Sequence, residues 1–532
     1  MFSKIRELSK NITVYGLGDV AVSLVSFFLL PVYVLFFSDT DYGVISVLLA
    51  MEVVAKIVFR FGLDGSFMRF YYDAGEGRGR QQLASTIFLF LFALDGTVML
   101  VLLLLAPAMS ESLLGSRQYV NALRVMLVNT FLIGFTFIPF HVLRMEQRTK
   151  TFSVLTLVRS VLTIIVRLTL VTKLHLGVTG LWLADLLVTI VIMSALMPWF
   201  WPLIRPVFSA ETLRESLSFG LPRVPHAAAQ QITAVGDKFI LTLFVTTGEI
   251  GIYGVAVSFG LAQKLFLSAF ENAWAPFYYA TIREEGAQRV FRTISTYGVA
   301  VLALLTAGVS AIGRDALRAM THGRLIAPAD PRWTDVSIVV ALTAVGVFFQ
   351  GIYLLTSIGL NITKRTQYYP VATIAAAGAN VGLNFLLIPR LGIVGAGWAN
   401  VIAYALQAAL GYMLSQRFYP IAYEWGRIVR ICAAAAAGYL AGIAVPSIHL
   451  PVDPRSALAA VPDLLERGTI VVAVFGGLLA ITGFFHAAEL RAVRALLRKA
   501  RPPATRIRAA DSTEMAGDIV ASDIEPPDEP DR

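Results

Sequence analysis

Ser38-Asp-Thr-Asp-Tyr42-Gly43-Val44 opens an apolar segment that ends in Arg60-Phe-Gly-Leu-Asp64-Gly-Ser-Phe-Met-Arg69-Phe70-Tyr71-Tyr72. About two hundred residues later, Thr246-Thr-Gly-Glu-Ile-Gly-Ile-Tyr253-Gly254-Val255 opens a second such segment, which ends in Phe270-Glu271-Asn-Ala-Trp-Ala-Pro-Phe277-Tyr278-Tyr279. Between Tyr-Gly-Val and the aromatic triplet each copy carries a lysine, Lys56 or Lys264, thirteen or fourteen residues before the triplet. Each copy also carries an acid six residues before it, Asp64 or Glu271. The pattern reads as two similar halves.

The composition says what kind of halves these are. The 532 residues are 57% hydrophobic and 15% charged, against roughly 25% charged in a soluble domain. Mean hydropathy is +0.70, and long apolar runs recur along nearly the whole length, as in a multi-pass membrane protein. The single cysteine, Cys432, excludes an internal disulfide. Six scattered histidines make no metal-ligand spacing, and no phosphate-binding GxxxxGK[ST] loop occurs. No cofactor, metal or nucleic-acid partner is expected. The basic N-terminus leads into a full-length apolar segment without a small-residue cleavage site, so no removable signal peptide is expected.

Candidate spans lie near 12–37, 43–63, 84–108, 122–143, 153–173 and 178–201, then 223–245, 251–273, 294–312, 336–358, 370–389 and 393–415, with a last pair at 428–447 and 468–487. With the N-terminus inside, the inside segments up to the last span hold twenty Lys and Arg and the outside loops nine. The positive-inside rule thus places both termini in the cytoplasm. Four of the nine fall in the loop 313–335. The two Tyr-Gly-Val sites are an even number of crossings apart, so the halves are parallel rather than inverted repeats. A second match keeps the same order: Leu176-Gly177-Val-Thr-Gly180 and Leu391-Gly392-Ile-Val-Gly395. The expected fold is all-α and polytopic, with about 14 spans: a six-helix bundle over 1–205, another over 206–420, a helix pair over 421–490, and a basic then acidic disordered tail over 491–532.

Charges inside spans are costly, about 2.5–3.5 kcal/mol each at a helix centre. They include Asp19, Glu52, Lys56, Arg60, Asp95, Arg159, Arg167, Asp185, Asp237, Lys238, Lys264 and Glu271. Glu52 and Lys56 have the spacing of a plain ion pair, and that bland reading stands beside a functional one. Matched positions in two halves single out Lys56 and Lys264, expected to face one central cavity with help from Arg60 and Lys238. A cationic lining asks for an anionic ligand such as a pyrophosphate. Asp19, Glu52, Asp237 and Glu271 are the candidates for coupling or charge balance. Trp182, Trp199, Trp201, Trp398 and Trp425 fall near span ends, as an interfacial belt would. Gly438 and Gly442 make a GxxxG, read as close helix packing.

Tyr42-Gly43, Gly62-Leu63-Asp64 before Arg69-Phe70-Tyr71, Asp237-Lys238-Phe239-Ile240-Leu241 before Gly251-Ile-Tyr253, and Leu391-Gly392-Ile-Val-Gly395-Ala together resemble the oligosaccharide flippases (Wzx-type polysaccharide biosynthesis proteins). These belong to the multidrug/oligosaccharidyl-lipid/polysaccharide exporter superfamily. The resemblance covers roughly residues 8–420. It implies two six-helix bundles around a V-shaped cavity, alternating access without ATP, and translocation of a polyprenyl-pyrophosphate-linked oligosaccharide across the cytoplasmic (inner) membrane for O-antigen or exopolysaccharide synthesis. Its implied partners are that glycolipid, membrane lipids, and the polysaccharide polymerase and export machinery. The extra C-terminal spans are similar to those of lipid II flippases. A multidrug/cation antiporter of the same fold is a rival, kept open by Asp19, Asp95 and Asp185. A membrane glycosyltransferase or polymerase would want paired carboxylates on a large loop, and only Asp315, Asp330 and Asp335 lie in or beside 313–335.

Reporter fusions at Ser38 and at residue 250 should both report the outside face. Opposite faces would refute the parallel repeat.

Overall fold

The computed structural model describes residue 33 and residues 35–75, 77–146, 148–321, 330–446 and 457–485. In chain order these form α1 (Asp39–Val58), α2 (Leu63–Phe70), α3 (Arg78–Leu114), α4 (Val120–Phe135), α5 (Phe137–Met145) and α6 (Thr149–Leu168). Then come α7 (Gly177–Phe200), α8 (Ala210–Gly220), α9 (Val224–Leu241), α10 (Thr247–Gly260), α11 (Lys264–Thr281) and α12 (Ala287–Thr321). The last are α13 (Trp333–Thr356), α14 (Ile358–Ile362), α15 (Tyr369–Phe418), α16 (Trp425–Ala444) and α17 (Ala457–Ile481), with no strand among the described residues. Ten stretches are long and apolar enough to cross a bilayer, and the longest, Thr366–Phe418, turns at Gly392. The count of fourteen remains an expectation. The first span lies largely outside the described residues, as does Asp19, while α1 and α9 carry too many polar groups to qualify by composition. The tail beyond residue 485 also lies outside them.

Both opening stretches fold alike in atomic detail. The Ser38 hydroxyl accepts the Asp41 N–H at 3.1 Å, and the Asp41 carboxylate accepts the Ser38 N–H at 3.0 Å. At the start of α10, Thr246 accepts the Glu249 N–H at 3.3 Å while Glu249 accepts the Thr246 N–H at 2.9 Å. Such reciprocal boxes satisfy N–H groups that a helix start leaves open. Counted from these caps, the register of the repeat differs from the one that Tyr-Gly-Val suggests. Gly43 then matches Gly251, Ser46 matches Gly254, and each lysine, Lys56 or Lys264, stands 18 residues beyond its cap.

The packing of α1 on α10 obeys that register. A Cβ on Gly43 would overlap the Thr247 carbonyl, and a Cβ on Gly251 would overlap the carbonyl of Asp39, which is the match of Thr247. A Cβ on Gly254 would overlap the hydroxyl of Ser46, its own counterpart. Matched residues therefore meet one another, as an approximate two-fold axis between α1 and α10 demands. Around this contact Val44, Val47 and Leu48 of α1 pack with Ile252, Tyr253 and Ala256 of α10 in one buried cluster. Lipid tails are as apolar as these side chains, so close packing of small residues is what holds helices together here.

The second repeated motif is a turn. Gly177 and Gly392 have φ of +54° and +55°, where glycine is favoured. Three residues on, Gly180 and Gly395 bring the next helix against the end of the preceding one: a Cβ on Gly180 would sit 2.9 Å from the Leu176 side chain, and one on Gly395 would sit 2.6 Å from the Leu387 carbonyl. Leu-Gly-x-x-Gly thus folds α6 back on α7, and the first half of α15 on its second.

The C-terminal pair is fastened to α12. Gly438 and Gly442 of α16 face Val471 of α17, and Gly442 also faces Ala311 of α12, so the GxxxG is a packing device. Arg467 of α17 reaches the buried Asp315 of α12 at 3.0 Å. Glu424, just before α16, bonds Arg427 at 2.9 Å and accepts the Thr296 hydroxyl of α12 at 2.9 Å. Two expectations change. Arg314 and Arg318 lie on α12, which runs on to Thr321, rather than in a loop. Trp182 is buried, 1% exposed, in the α1 cluster, whereas Trp201 and Trp425 are exposed as a belt requires.

Gly251→Ala should cost about 1–3 kcal/mol, because its obstacle is a backbone carbonyl that cannot move aside. Gly254→Ala should cost less and be largely relieved by Ser46→Ala, whose hydroxyl is the obstacle. Thermal unfolding of the purified variants measures both, and equal losses without relief would contradict the packing described.

Candidate functional site

Each half carries its own polar cavity. The cavity of the first half, about 270 Å³, lies among α1, α4, α6 and α7. Lys56 and Glu52 of α1 line it and pair at 2.5 Å, one helical turn apart. The turn at Gly177 sets α6 beside α7, so Arg167 forks onto Asp185, with Nε–Oδ1 of 2.8 Å and Nη2–Oδ2 of 2.6 Å. Arg159, two turns before Arg167, lines the same cavity and has no ion pair among the described residues. Three cations thus face two carboxylates, leaving one positive charge in excess. Asn129, which lines the cavity, accepts the Thr189 hydroxyl at 2.7 Å.

The cavity of the second half is larger, about 630 Å³, and lies among α9, α11, α13, α14 and α15. Lys264 and Glu271 line it, two turns apart on α11, and neither has an ion pair within 4 Å among the described residues. The rest of its wall is uncharged: polar groups alternate with the apolar Ala234, Leu267, Leu354 and Ile358. Gln230, Gln231, Gln350, Gln407 and Asn361 supply carboxamides. Ser268, Ser357 and Thr373 supply hydroxyls, with the His226 ring held on Thr373 at 2.8 Å. Trp274, Tyr278, Tyr353, Tyr369 and Tyr404 supply aromatic groups.

Behind that wall runs a buried network. Tyr253 of α10 donates to Asp237 of α9, and Asn400 donates to the same carboxylate at 2.9 Å. Asn380 donates to Asn400 at 2.8 Å, and Asn384 to Asn380 at 3.0 Å. Asp237 and Lys238 part company: the carboxylate enters this network, while Lys238 lines neither cavity. Arg60 also lines neither and sits 3.8 Å from Asp64 at the junction of α1 and α2. Lys56 and Lys264 occupy matched register positions, yet in this state they line two cavities rather than one. Asp95 lies apart from both, 2% exposed, its Oδ1 without a partner among the described residues. Asp185 is engaged by Arg167.

Sequence reasoning underrated Arg159 and the carboxamides. Arg159 has no acid three or four residues away on its helix, but neither does Arg167, so the sequence did not set it apart. Gln230, Gln231, Gln350 and Gln407 are amides within apolar segments, visible to anyone counting costly polar groups rather than charges.

The family model of the polysaccharide biosynthesis proteins matches residues 32–305. No curated protein matches the sequence. Among solved structures, an inward-facing multidrug resistance transporter of the MATE family in the MOP superfamily aligns with a TM-score of 0.55 at 16% identity, over 80% of this chain and 94% of its own. The lipid II flippase MurJ, in an inward closed conformation, aligns with 0.55 at 16% identity, over 84% and 98%. A MOP superfamily transporter from Pyrococcus furiosus, described by the reversed polarity of its binding pocket, aligns with 0.50 at 16% identity, over 80% and 96%. At such identities the likeness is one of fold.

Asp185→Ala leaves the Arg167 guanidinium without its partner and should destabilise the protein by about 3–5 kcal/mol. Removing both charges with Arg167→Met and Asp185→Leu should restore most of that loss in thermal unfolding. Equal losses from the single and double changes would assign the pair another role.

Proposed function

Because the chain belongs to the polysaccharide biosynthesis protein family, we propose that it is a flippase for a polyprenyl-pyrophosphate-linked oligosaccharide. It is a multi-pass membrane protein with the fold of MOP-superfamily transporters. In this reading it resides in the cytoplasmic membrane with both termini inside, acts as a secondary transporter rather than an enzyme, and feeds surface polysaccharide synthesis. The observation that carries the reading is the pair of lysines at one repeat register, each lining the cavity of its own half. A cation held within a membrane domain at two-fold related places suits a ligand whose negative charge passes between the halves.

Lys56 and Lys264 are the proposed phosphate-binding residues. Arg60 and Lys238 line neither cavity and are left to a different state of the cycle. Glu52 and Glu271 are proposed to balance the lysines when the substrate leaves, and Asp237 to serve coupling through its network. Substrate crosses by alternating closure, and packing of α1 on α10 supplies closure at the end that bears the capping boxes. A cation antiporter is less favoured, since Asp185 is neutralised by Arg167 and Asp95 lies outside both cavities.

The test is complementation of a host strain lacking this protein, with membrane levels measured alongside. Lys56→Ala and Lys264→Ala should each abolish polysaccharide export at normal protein level, while Lys→Arg keeps part of it because charge survives and geometry changes. Normal export by both alanine variants would make the lysines structural and the reading wrong.

A further inference from the structure

The two cavities differ in chemistry although the halves repeat. The first is small and carries a net positive charge, through Lys56, Arg159 and Arg167 against Glu52 and Asp185. The second is more than twice as large, balances one lysine against one glutamate, and is walled by amides, hydroxyls and aromatic rings. Taking the flippase reading as its premise, we propose that in this state the substrate is divided between them: the second-half cavity binds the saccharide and the first-half cavity binds the pyrophosphate, so that Lys264 meets phosphate only as the charge passes between the halves.

Hydrogen-bond chemistry carries the assignment. A phosphate oxygen only accepts, so half of each carboxamide, its carbonyl, would oppose it. A sugar hydroxyl donates and accepts at once, and a carboxamide answers both needs. Gln230, Gln231 and Gln350 bond no described residue, so their amides are free to do so. Gln407, contributed by α15 to the same cavity, is 8% exposed. Trp274 adds an independent sign: it lines the cavity, is 1% exposed, and its indole N–H has no partner among the described residues. A buried donor without an acceptor is costly, and a ligand hydroxyl would supply the acceptor. The volume of about 630 Å³ lies within the range of small-ligand sites, about 300–1,000 Å³. In the first half Arg159 is the cation whose charge no carboxylate has claimed, and its planar fork suits phosphate oxygens.

The experiment uses the full-length protein in nanodiscs and two probes: polyprenyl pyrophosphate bearing no sugar, and the lipid-linked saccharide fraction extracted from the protein's own host. Gln350→Ala and Gln407→Ala should each weaken binding of the saccharide-bearing lipid about tenfold, a loss of about 1.4 kcal/mol. Both should leave the bare pyrophosphate lipid within about twofold. Arg159→Ala should weaken both probes about tenfold. Equal weakening of both probes by the glutamine variants, or no weakening at all, overturns the division while leaving the flippase reading standing. A wild-type protein that binds neither probe overturns both. A photoreactive residue placed at Gln350 or at Ser160, irradiated with the extracted fraction in wild-type background, covers the case of a variant that fails to fold. Saccharide mass should attach at position 350, and saccharide attached at 160 instead would reverse the assignment.

Discussion

The contact of α1 with α10 is the constraint on which the rest of this protein depends. Two helices start from matching capping boxes and meet where glycine leaves the backbone bare, so that Gly43 lies on Thr247 and Gly251 on Asp39. No side chain can be added there without parting the halves. Because matched residues meet matched residues, the contact fixes an approximate two-fold relation and, with it, where everything else on these helices points. Lys56 and Lys264 inherit their positions from that seam.

A bilayer changes which forces matter. Burial of leucine and phenylalanine gives little preference for protein over lipid, so small residues and satisfied polar groups decide the arrangement. The leucine-glycine turns at Gly177 and Gly392 serve this end by laying successive helices side by side. Ion pairs then join elements that sequence leaves far apart, as Arg467 joins α17 to α12 and Arg167 joins α6 to α7. Each pairs a charge that would otherwise be buried inside the protein without a counter-charge.

Repetition of the backbone did not preserve repetition of chemistry. The halves keep a shared register at the caps, the glycines and the lysines, then diverge in what surrounds each lysine. Lys56 meets a glutamate one turn away, whereas the equivalent position before Lys264 is Gly260. That difference leaves Lys264 without a carboxylate one turn before it on the chain. A symmetric scaffold with unlike cavities suits a ligand with unlike ends.

Sequence alone was enough for the class and the repeat. Hydropathy sets the helices, because an apolar run near twenty residues long has few other homes, and the parity of the expected crossings is the argument for parallel halves. It also placed Glu52 on Lys56, since a spacing of four is geometry that a helix guarantees. It misjudged the register, because Tyr-Gly-Val is a similarity of letters whereas the caps are a similarity of hydrogen bonds. Arg159 and Arg167 look alike in the sequence: both are basic, on one apolar segment, with no acid within a turn. Only the folding of α7 against α6 brings Asp185 to one and leaves the other unclaimed. Likewise Gln230, Gln350 and Gln407 come from three separate helices, and their convergence on one cavity is a fact of packing that no local pattern encodes.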